Sequence, residues 1–505
     1  MAELAEKTEA LDPFGRIGGR RGEGALDEER RNHFAGTIRK ELPLFVKVHK
    51  AWLVMLAKTR IVEKERARKI MLALEGVGEE AIREMIATWT PSSWEPMIQL
   101  ERYLTSRAGQ AASDLNIART LPPPFYRMEI LPLLSDLMDE ILSFLQVLLG
   151  KAAENLETVM PGYTHLQHAQ PMTYGHYLVG LFDAVARAYG QLEAAYGRTN
   201  QFELGCGALA GTSFAIDREM PARLLAFDGI VEHSNDAVAA TDFIVDVLAG
   251  LVNLMVPVGR VANDLDVWSS FEFGMVEVAD EICNPSSMMP QKKNPALFEF
   301  CRMSLGAMLG GLAEVVCGAH ATPYGDVIEM RELAFSVHPR ITEATRQIRV
   351  MSEAIATLIL KKGRMLELAR RGFSTATELA AVLYREAGMP LRMAHGIVAE
   401  TVRKLAGEGK HPDDITPELI AEISQRVTGT AVHLCRERLR ASVDPVEFVN
   451  AHTSAGGVSP ASVRKMIDTR GPLLAELRRR QQQRADRREA ADADLAREVE
   501  RLLQG

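Results

Sequence analysis

The chain has little of what marks secreted, metal-binding or membrane-spanning proteins. Only five of its 505 residues are cysteine, and no two of them form a Cys-x-x-Cys pair. This scarcity argues against a zinc framework and predicts reduced thiols in a cytoplasmic protein. The first residues, "MAELAEKTEALDPFGRIGGRRGEG", contain no apolar segment of the kind that forms a secretory signal. No run of 18 or more apolar residues occurs, so we expect no membrane span.

An excess of positive charge is lacking as well. The formal net charge is −8 at pH 7, and no broad basic region occurs outside the C-terminal tail. Nucleic-acid-binding domains usually carry a basic patch or stripe, so we expect a small-molecule substrate, with neither a nucleic acid nor a membrane as partner. We expect neither a metal nor another cofactor.

What is present is helical periodicity. Over 128–149, apolar residues recur at steps of three and four, which is one face of a helix. A longer apolar pattern over 236–266 predicts a single helix of about 45 Å, with more apolar surface than one chain can cover. Alternating patterns bounded by turn residues are scarce, so the predicted fold class is all-α with almost no sheet.

Changes in helix length and turn content divide the chain into four parts. We expect an N-terminal helical domain over 1–113, a central domain of long helices over 114–368 and a C-terminal helical domain over 369–470. Residues 471–505 are polar and thinly apolar, which predicts a charged, solvated helix or a disordered tail.

Three separated segments contain small and polar residues that helix packing does not require. They are "MPGYTHLQHAQPMTYGH" (160–176), "LGCGALAGTSFAIDRE" (204–219) and "ICNPSSMMPQKKNPAL" (282–297). Each one alone is compatible with a structural role: a helix cap, close packing around glycine and alanine, or a solvated loop. The third segment also concentrates hydroxyl, ammonium and amide donors beside few acidic residues, a composition suited to binding an anion.

Together the segments resemble the signature regions of the aspartase/fumarase superfamily, in the form that argininosuccinate lyases have. "SSMMPQKKNP" resembles the superfamily signature Gly-Ser-Ser-x-Met-Pro-x-Lys-x-Asn-Pro, and the likeness extends over about 45–467. The resemblance implies a three-domain, all-α subunit whose long central helices form the twenty-helix bundle of a homotetramer. It also implies active sites that take the three segments from three different subunits.

The resemblance further implies the chemistry. Superfamily members remove a proton from the carbon next to a carboxylate and expel a group from the neighbouring carbon, usually releasing fumarate. The reaction needs a base near that carbon and fixed donors around the carboxylate, which becomes a dianion. By this resemblance Ser286 is the base, Lys292 and Asn294 hold the carboxylate, and Ser287 adds a hydroxyl. The adjacent Lys293 is expected to face outward.

The first segment resembles the superfamily's Thr-His pair. Thr164 would bind a carboxylate oxygen, and His165 would assist protonation of the leaving amine, directly or through water. A histidine suits this step because its unperturbed pKa is near 6.5. A structural role, in which His165 only orients the loop, is the alternative.

The residues that recognise the rest of the substrate depart from the family pattern. Argininosuccinate lyases carry Ser-Arg-Asn-Asp before the first long helix. Aligning "TSRAGQAASD" keeps Arg107 but needs a deletion, whereas aligning "NIARTLPPPFYRM" needs no gap and keeps only Arg119, followed by apolar 121–123. We favour Arg119, and in both alignments the asparagine is lost.

Three further positions differ. The family's Ser-x-Ala-His becomes "HKAW", which starts at His49. In "YGDVIEMRE", Tyr324 is kept and expected to bind substrate together with the nearby Arg331, while Gln and Lys of the family become Glu329 and Glu332. The glycine before the two serines is a proline here, which is expected to stiffen a loop that opens and closes in relatives.

These retained and lost residues lead to one preferred function and two alternatives. The proton chemistry is kept and the recognition of the amine is altered, which favours a lyase that cleaves or forms the C–N bond of a different N-substituted aspartate. Polyamino-carboxylates of the ethylenediamine-disuccinate type are one plausible class. The alternatives are a true argininosuccinate lyase and a catalytically inactive structural relative.

Overall fold

The computed structural model describes residues 27–90, 96–119 and 125–504. The N-terminal region contains α1 (Asp27–Lys58), α2 (Lys64–Glu75), α3 (Glu79–Ala87), α4 (Pro96–Ala108) and a 3-10 helix (Gly109–Asn116). The central region contains α5 (Phe125–Glu154), β1 (Val159–Thr164), β2 (Gln167–Thr173), α6 (Tyr174–Thr199), β3 (Gln201–Phe202), α7 (Glu219–Leu224), β4 (Gly229–Ile230), α8 (Ser234–Ala239), α9 (Asp242–Ser269), β5 (Val276–Glu277), a 3-10 turn (Asp280–Ile282), β6 (Asn284–Pro285), β7 (Lys293–Asn294), α10 (Ala296–His320), α11 (Ile328–Phe335), α12 (Val337–Thr357) and β8 (Ile359–Leu360).

The C-terminal region is helical as well. It contains α13 (Lys362–Arg371), α14 (Ala376–Ala387), α15 (Leu391–Gly407), a 3-10 turn (Pro412–Asp414), α16 (Pro417–Thr428), α17 (Arg436–Val443), α18 (Pro445–Ala451) and α19 (Pro460–Gln504). Helices α14 to α17 pack around a small apolar core of their own, separate from the large core of the bundle. The all-α fold class is confirmed.

Five long helices, α5, α6, α9, α10 and α12, form the bundle at the centre of the chain. Their apolar faces converge on one continuous core, as expected for helices with apolar residues at every third or fourth position. Helix α5 begins at Phe125, so Pro132 lies inside the helix and beyond its first turn. The helix predicted from the apolar periodicity over 128–149 thus extends over 30 residues.

The single helix predicted over 236–266 is interrupted. Helix α8 ends at Ala239, Ala240 has extended backbone angles, and α9 begins at Asp242. The uninterrupted helix spans 28 residues, about 42 Å at 1.5 Å per residue. No proline or glycine lies in 234–241 to mark the break, so the sequence pattern alone does not reveal it.

Excess apolar surface was expected on this helix, and that expectation is wrong. Helix α9 lies between α6, α10 and α12, which cover most of its large apolar residues. Val256, which is 41% exposed, is an exception. The exposed apolar residues belong instead to α10, which lies at the edge of the bundle. They are Phe300, Met303, Leu309 and Val316, exposed by 48%, 69%, 55% and 46%.

Helices α9 and α10 are long and apolar enough to cross a membrane, by length and composition only. Core helices of soluble proteins meet the same criterion, and here the two helices pack against each other within the bundle. The absence of a membrane span therefore stays a prediction.

The strands are short and pair two by two, and the longest pair was not foreseen. β1 and β2 form an antiparallel hairpin that joins Val159 to Thr173 at one end and Thr164 to Gln167 at the other. Prolines at 161 and 171 and a glycine at 162 remove the alternating pattern that predicts strands. The hairpin matters because it carries the Thr-His pair at its tip.

The charged tail is not a separate part of the structure. It belongs to α19, a continuous helix of 45 residues, so a division at 471 falls inside a helix. The tail buries widely spaced apolar residues, among them Leu477, Leu495 and Leu502, against α1, α2 and α5. Ion pairs such as Lys58 with Glu498, 2.7 Å apart, flank this contact.

Candidate active site

A short ladder closes the loop that contains the signature serine. Asn284 pairs with Asn294, and Pro285 pairs with Lys293, in the antiparallel strands β6 and β7. Continuing the same register by one residue brings Ser286 opposite Lys292. The fold therefore places the expected base and the expected carboxylate-binding lysine at the two ends of one loop.

The hydroxyl of Ser286 receives backbone hydrogen bonds. The N–H of Met289 donates to Ser286 Oγ at 3.0 Å, and the N–H of Met288 lies 3.4 Å from the same oxygen. Serine commonly caps a turn in this way. Donors aimed at the oxygen also stabilise its deprotonated form, so the turn favours an alkoxide more than a solvated serine does.

The two adjacent lysines differ in their contacts. Lys293 Nζ pairs with Glu277 at 2.6 Å and with Asp280 at 2.5 Å, and Glu277 also pairs with Lys361. Hydrogen bonds from Lys293 and then Lys361 lower the pKa of Glu277 to about 2. Lys293 thus pairs with acidic residues at the base of the loop, and it is exposed, as expected. Among the residues that the structure describes, Lys292 has no ion-pair partner and is exposed.

The Thr-His pair lies at the exposed tip of the β1–β2 hairpin. His165 and Leu166 form its two-residue turn with φ of 53° and 58°, a conformation that usually requires glycine or asparagine. Holding non-glycine residues there costs about 1–2 kcal/mol each. Tyr163, just before the turn, anchors the hairpin through ring contact with Phe273. The strained turn leaves Thr164 and His165 exposed at the surface.

A buried histidine–arginine pair lies where α1 meets the turn after the first 3-10 helix. His49 Nδ1 lies 2.6 Å from the carbonyl oxygen of Phe45, and His49 Nε2 lies 3.0 Å from Nη2 of Arg119. A carbonyl only accepts and a guanidinium only donates, so the neutral ring carries its hydrogen on Nδ1. Burial, followed by the charge of Arg119, holds the pKa of His49 well below its ordinary value.

The second polar segment covers this pair. The N–H of Gly207 donates to the carbonyl of Ala118 at 3.3 Å, directly before Arg119. A buried ion pair between Arg127 and Glu203, 2.6 Å apart, holds the start of the segment. The loop beyond it, 208–215, is exposed.

Of the two candidate clamp arginines, only one lies beside a signature segment. Arg107 is on the surface, where it pairs with Glu84 at 2.7 Å and stacks on Tyr103. Arg119 contacts His49 and adjoins the second segment. This position agrees with the gap-free alignment, although the apolar residues expected at 121–123 lie outside the described residues.

The segment that contains Tyr324 lies at the same end of the bundle as Arg119. Asn235 donates to the carbonyl of Tyr324 at 3.2 Å, and the Tyr324 hydroxyl donates to Asp236. Arg331 lies in α11, seven residues after Tyr324, and the exposed Glu329 and Glu332 are on the same helix.

The predicted site residues are divided between the two ends of the bundle. The second segment and α11 share a cavity with Phe243 and Ile244, at the start of α9. The Ser286 loop and the hairpin lie instead beyond the end of α9, where Glu277 and Phe273 contact them. One chain thus separates Ser286 and His165 from Arg119 and Tyr324 by about the 42 Å length of α9.

Two of these features were missed by reading the sequence. His49 stood out only as a departure from the family pattern, and its pairing with a residue 70 positions later leaves no local signal. The strain at His165 was also missed, because a Thr-His-Leu-Gln turn lacks the glycine or asparagine that marks a tight hairpin. The sequence signal that could have indicated this turn is a polar stretch between two segments that each contain a proline.

A five-helix bundle with polar loops at both ends is the architecture expected for the fumarate lyase class of enzymes. Comparison with known proteins supports membership of this class. Residues 126–310 match a family model described as Lyase, and 373–450 match one described as Argininosuccinate lyase C-terminal. The structure of EDDS lyase in complex with formate superposes with a TM-score of 0.84 at 27% identity, covering 98% of this chain and 99% of that one.

Curated relatives identify the family within this class. The argininosuccinate lyase of Methanothermobacter thermautotrophicus is 34% identical over 417 residues, which is 82% of this chain and 89% of that protein. That of Methanothrix thermoacetophila is 34% identical over 468 residues, or 90% and 92%. The chain belongs to the argininosuccinate lyase family of the aspartase/fumarase superfamily, and it is a carbon–nitrogen lyase.

Proposed function

We propose that the protein cleaves the C–N bond of an N-substituted aspartate by anti elimination, releasing fumarate and an amine, and forms the same bond in reverse. The observation that carries this proposal is the Ser286 loop. Its serine oxygen accepts two backbone N–H groups, and the loop's other end carries Lys292, exposed and unpaired within the described residues.

The roles of the residues follow from their chemistry. The Ser286 alkoxide removes the proton from the carbon next to the carboxylate. Lys292, Asn294 and Ser287 bind that carboxylate as its charge grows, which stabilises the transition state more than the ground state. The C–N bond then breaks with its electron pair on nitrogen, and the new double bond remains in fumarate.

The leaving amine needs a proton. His165, at the hairpin tip, supplies it directly or through a water molecule, and Thr164 donates its hydroxyl to a carboxylate oxygen. Both side chains are exposed in the single chain. A pocket that excludes water therefore forms around them only when another surface covers them.

A homotetramer with shared sites supplies that surface. The exposed apolar stripe on α10 suits burial against other copies of this chain, and the division of site residues between opposite ends suits antiparallel packing of subunits. Each site then takes Ser286, His165 and Arg119 from three different subunits. With reduced cysteines, we place the enzyme in the cytoplasm.

The proposed substrate is not argininosuccinate. The asparagine of the family clamp is absent, and Glu329 and Glu332 stand where argininosuccinate lyases have Gln and Lys. The likeness to EDDS lyase supports a polyamino-carboxylate or a related N-substituted aspartate. Argininosuccinate remains the second candidate, because curated relatives of this name reach 34% identity over most of the chain.

The test is addition of amines to fumarate. The purified protein is incubated with fumarate and a panel of mono- and diamines, amino acids and arginine, and the loss of fumarate absorbance is followed. We expect consumption with at least one amine and little with arginine. If no amine consumes fumarate, and no N-substituted aspartate releases it, the proposal is wrong.

A further inference from the structure

The guanidinium of Arg119 has buried hydrogen-bond donors that no described residue satisfies. Its Nη2 donates to His49 and to Asn116, but Nε and Nη1 are buried without a partner in the part of the chain that the structure describes. No carboxylate lies within ion-pair distance of it among the described residues. Burial lowers the pKa of Arg119 to about 10, while the charge of Glu101, which makes no ion pair with it, acts in the opposite direction; Arg119 therefore stays charged at neutral pH. A buried cation with free N–H groups is costly unless a ligand supplies the counter-charge.

The backbone around Arg119 is fixed in an unfavourable conformation. Ala118 has φ of 62°, a region that residues with a Cβ rarely adopt. Two contacts hold it: the indole N–H of Trp52 donates to the carbonyl of Ile117 at 3.2 Å, and the N–H of Gly207 donates to the carbonyl of Ala118. Strain of this kind is usually retained where a side chain must point in one direction.

His49 is suited to orienting this arginine without neutralising it. Its Nε2 accepts one N–H of Arg119, while its Nδ1–H is held by the carbonyl of Phe45. A glutamate at this position would also orient the guanidinium, but its charge would cancel the attraction for an anion. The neutral ring leaves the positive charge of Arg119 available.

We propose that His49 is a positioning residue, which holds Arg119 so that its free N–H groups bind the second carboxylate of the substrate. Lys292 and Asn294, from another subunit, bind the first. His49 thus supports the one arginine of the family clamp that this chain keeps, where the clamp asparagine is lost. The identity of the ligand as a dicarboxylate rests on the proposed function, whereas the pairing of His49 with Arg119 rests on geometry alone.

The experiment compares two probes that differ only in the second carboxylate. Fumarate has two carboxylates, and crotonate has a methyl group in place of one of them. Dissociation constants for both are measured by calorimetry on the assembled wild type and on His49→Met, His49→Gln and Arg119→Met. Methionine removes the acceptor at similar volume, whereas glutamine retains an oxygen near the position of Nε2.

We expect His49→Met to weaken fumarate binding about 10-fold or more, the worth of one hydrogen bond to a charged group. Crotonate binding should change less than about 2-fold, and His49→Gln should restore most of the fumarate affinity. Arg119→Met should weaken fumarate binding at least as much, and adding His49→Met to it should cause little further loss, because both act through one contact.

The matched control is His452→Gln, which alters a partly buried histidine whose Nδ1 likewise lies 2.6 Å from the carbonyl oxygen of the residue four positions earlier, Phe448. It should leave both dissociation constants unchanged. Equal weakening of fumarate and crotonate by His49→Met, or fully additive losses in the double variant, would show that His49 only supports the fold and would overturn the inference. If no amine reacts but the pattern of affinities holds, the proposed function fails and the inference stands.

Discussion

Lys293 Nζ lies 2.6 Å from Glu277 Oε1, across the base of the loop that carries Ser286. This contact gives the two lysines of "QKKNP" different tasks. Lys293 ties strand β7 to β5, and thereby to the end of α9, while Lys292 is exposed and has no ion-pair partner among the described residues. The loop is thus anchored on one side and has a free ammonium group on the other.

The two lysines should therefore respond differently to the same substitution. Lys292→Met removes a charged hydrogen bond to the substrate carboxylate, worth about 1.5–3 kcal/mol, so kcat/KM should fall about 10- to 150-fold. Lys293→Met removes two exposed ion pairs, which contribute about 1 kcal/mol or less each, and should reduce kcat/KM only a few-fold. Steady-state kinetics on the best substrate measure both. Equal losses would contradict the assignment.

Removing the hydroxyl of Ser286 should abolish turnover. No other side chain in the loop can accept the proton in its place, so Ser286→Ala should lose about 10³-fold or more in kcat. The assembly and its melting temperature should be unchanged, because the residue is partly exposed. Ser113→Ala, on the exposed first 3-10 helix, serves as the control. A near-normal kcat for Ser286→Ala would refute its role as base.

The sequence predicts the parts of this molecule that are local. Amphipathic periodicity locates the bundle helices, and the signature "SSMMPQKKNP" identifies the Ser286 loop, because both signals lie within a few turns of chain. The break at Ala240 cannot be seen in the sequence, since no proline or glycine marks it. The burial of α19 is equally hidden, because its apolar residues are sparse and acquire partners only from α1, α2 and α5.

The arrangement of the site depends on contacts that no window of sequence contains. His49 and Arg119 meet across 70 residues, and the choice between Arg119 and Arg107 depends on which of them is buried. The expectation for α9 failed for a similar reason: its apolar surface was counted correctly, but its own chain covers it and leaves the exposed stripe on α10.

Sites shared between subunits should allow two inactive variants to restore each other. We expect light scattering to give about four times the 55.7 kDa chain mass. Ser286→Ala and Arg119→Met change opposite ends of the bundle, so mixed tetramers contain some sites with both residues intact. Random mixing of equal amounts should recover about a quarter of the wild-type sites. Reassembly from dilute denaturant and an activity assay test this, and a monomeric active enzyme or no recovery would contradict shared sites.

Stability should fall as the pH drops below 6.5, in part because of His338. Burial, followed by the charge of Lys40, lowers the pKa of His338 to about 4. Between pH 6.5 and 4 the unfolded chain binds this proton and the folded chain does not, so acid favours unfolding. The full shift amounts to roughly 3 kcal/mol by pH 4.

The measurement compares melting temperatures of the wild type and His338→Gln from pH 7 to 4. The nearby Glu129 has a pKa raised by burial, which acts in the opposite sense, and both proteins retain it. The variant should lose less stability on acidification than the wild type. Parallel curves would show that His338 does not titrate as its surroundings imply.

Specificity should differ from that of an ordinary argininosuccinate lyase. The clamp asparagine is missing, and Glu329 and Glu332 replace an uncharged and a positively charged residue, so the substrate loses donors and meets added negative charge. Each lost charged hydrogen bond is worth about 1.5–3 kcal/mol. Argininosuccinate should therefore react with kcat/KM at least about 10²-fold below that of a family argininosuccinate lyase assayed in parallel. Glu332→Lys should recover part of the difference, and Glu80→Lys, on the exposed α3, should not. Wild-type turnover of argininosuccinate at the family rate would mean that the altered residues do not set the substrate.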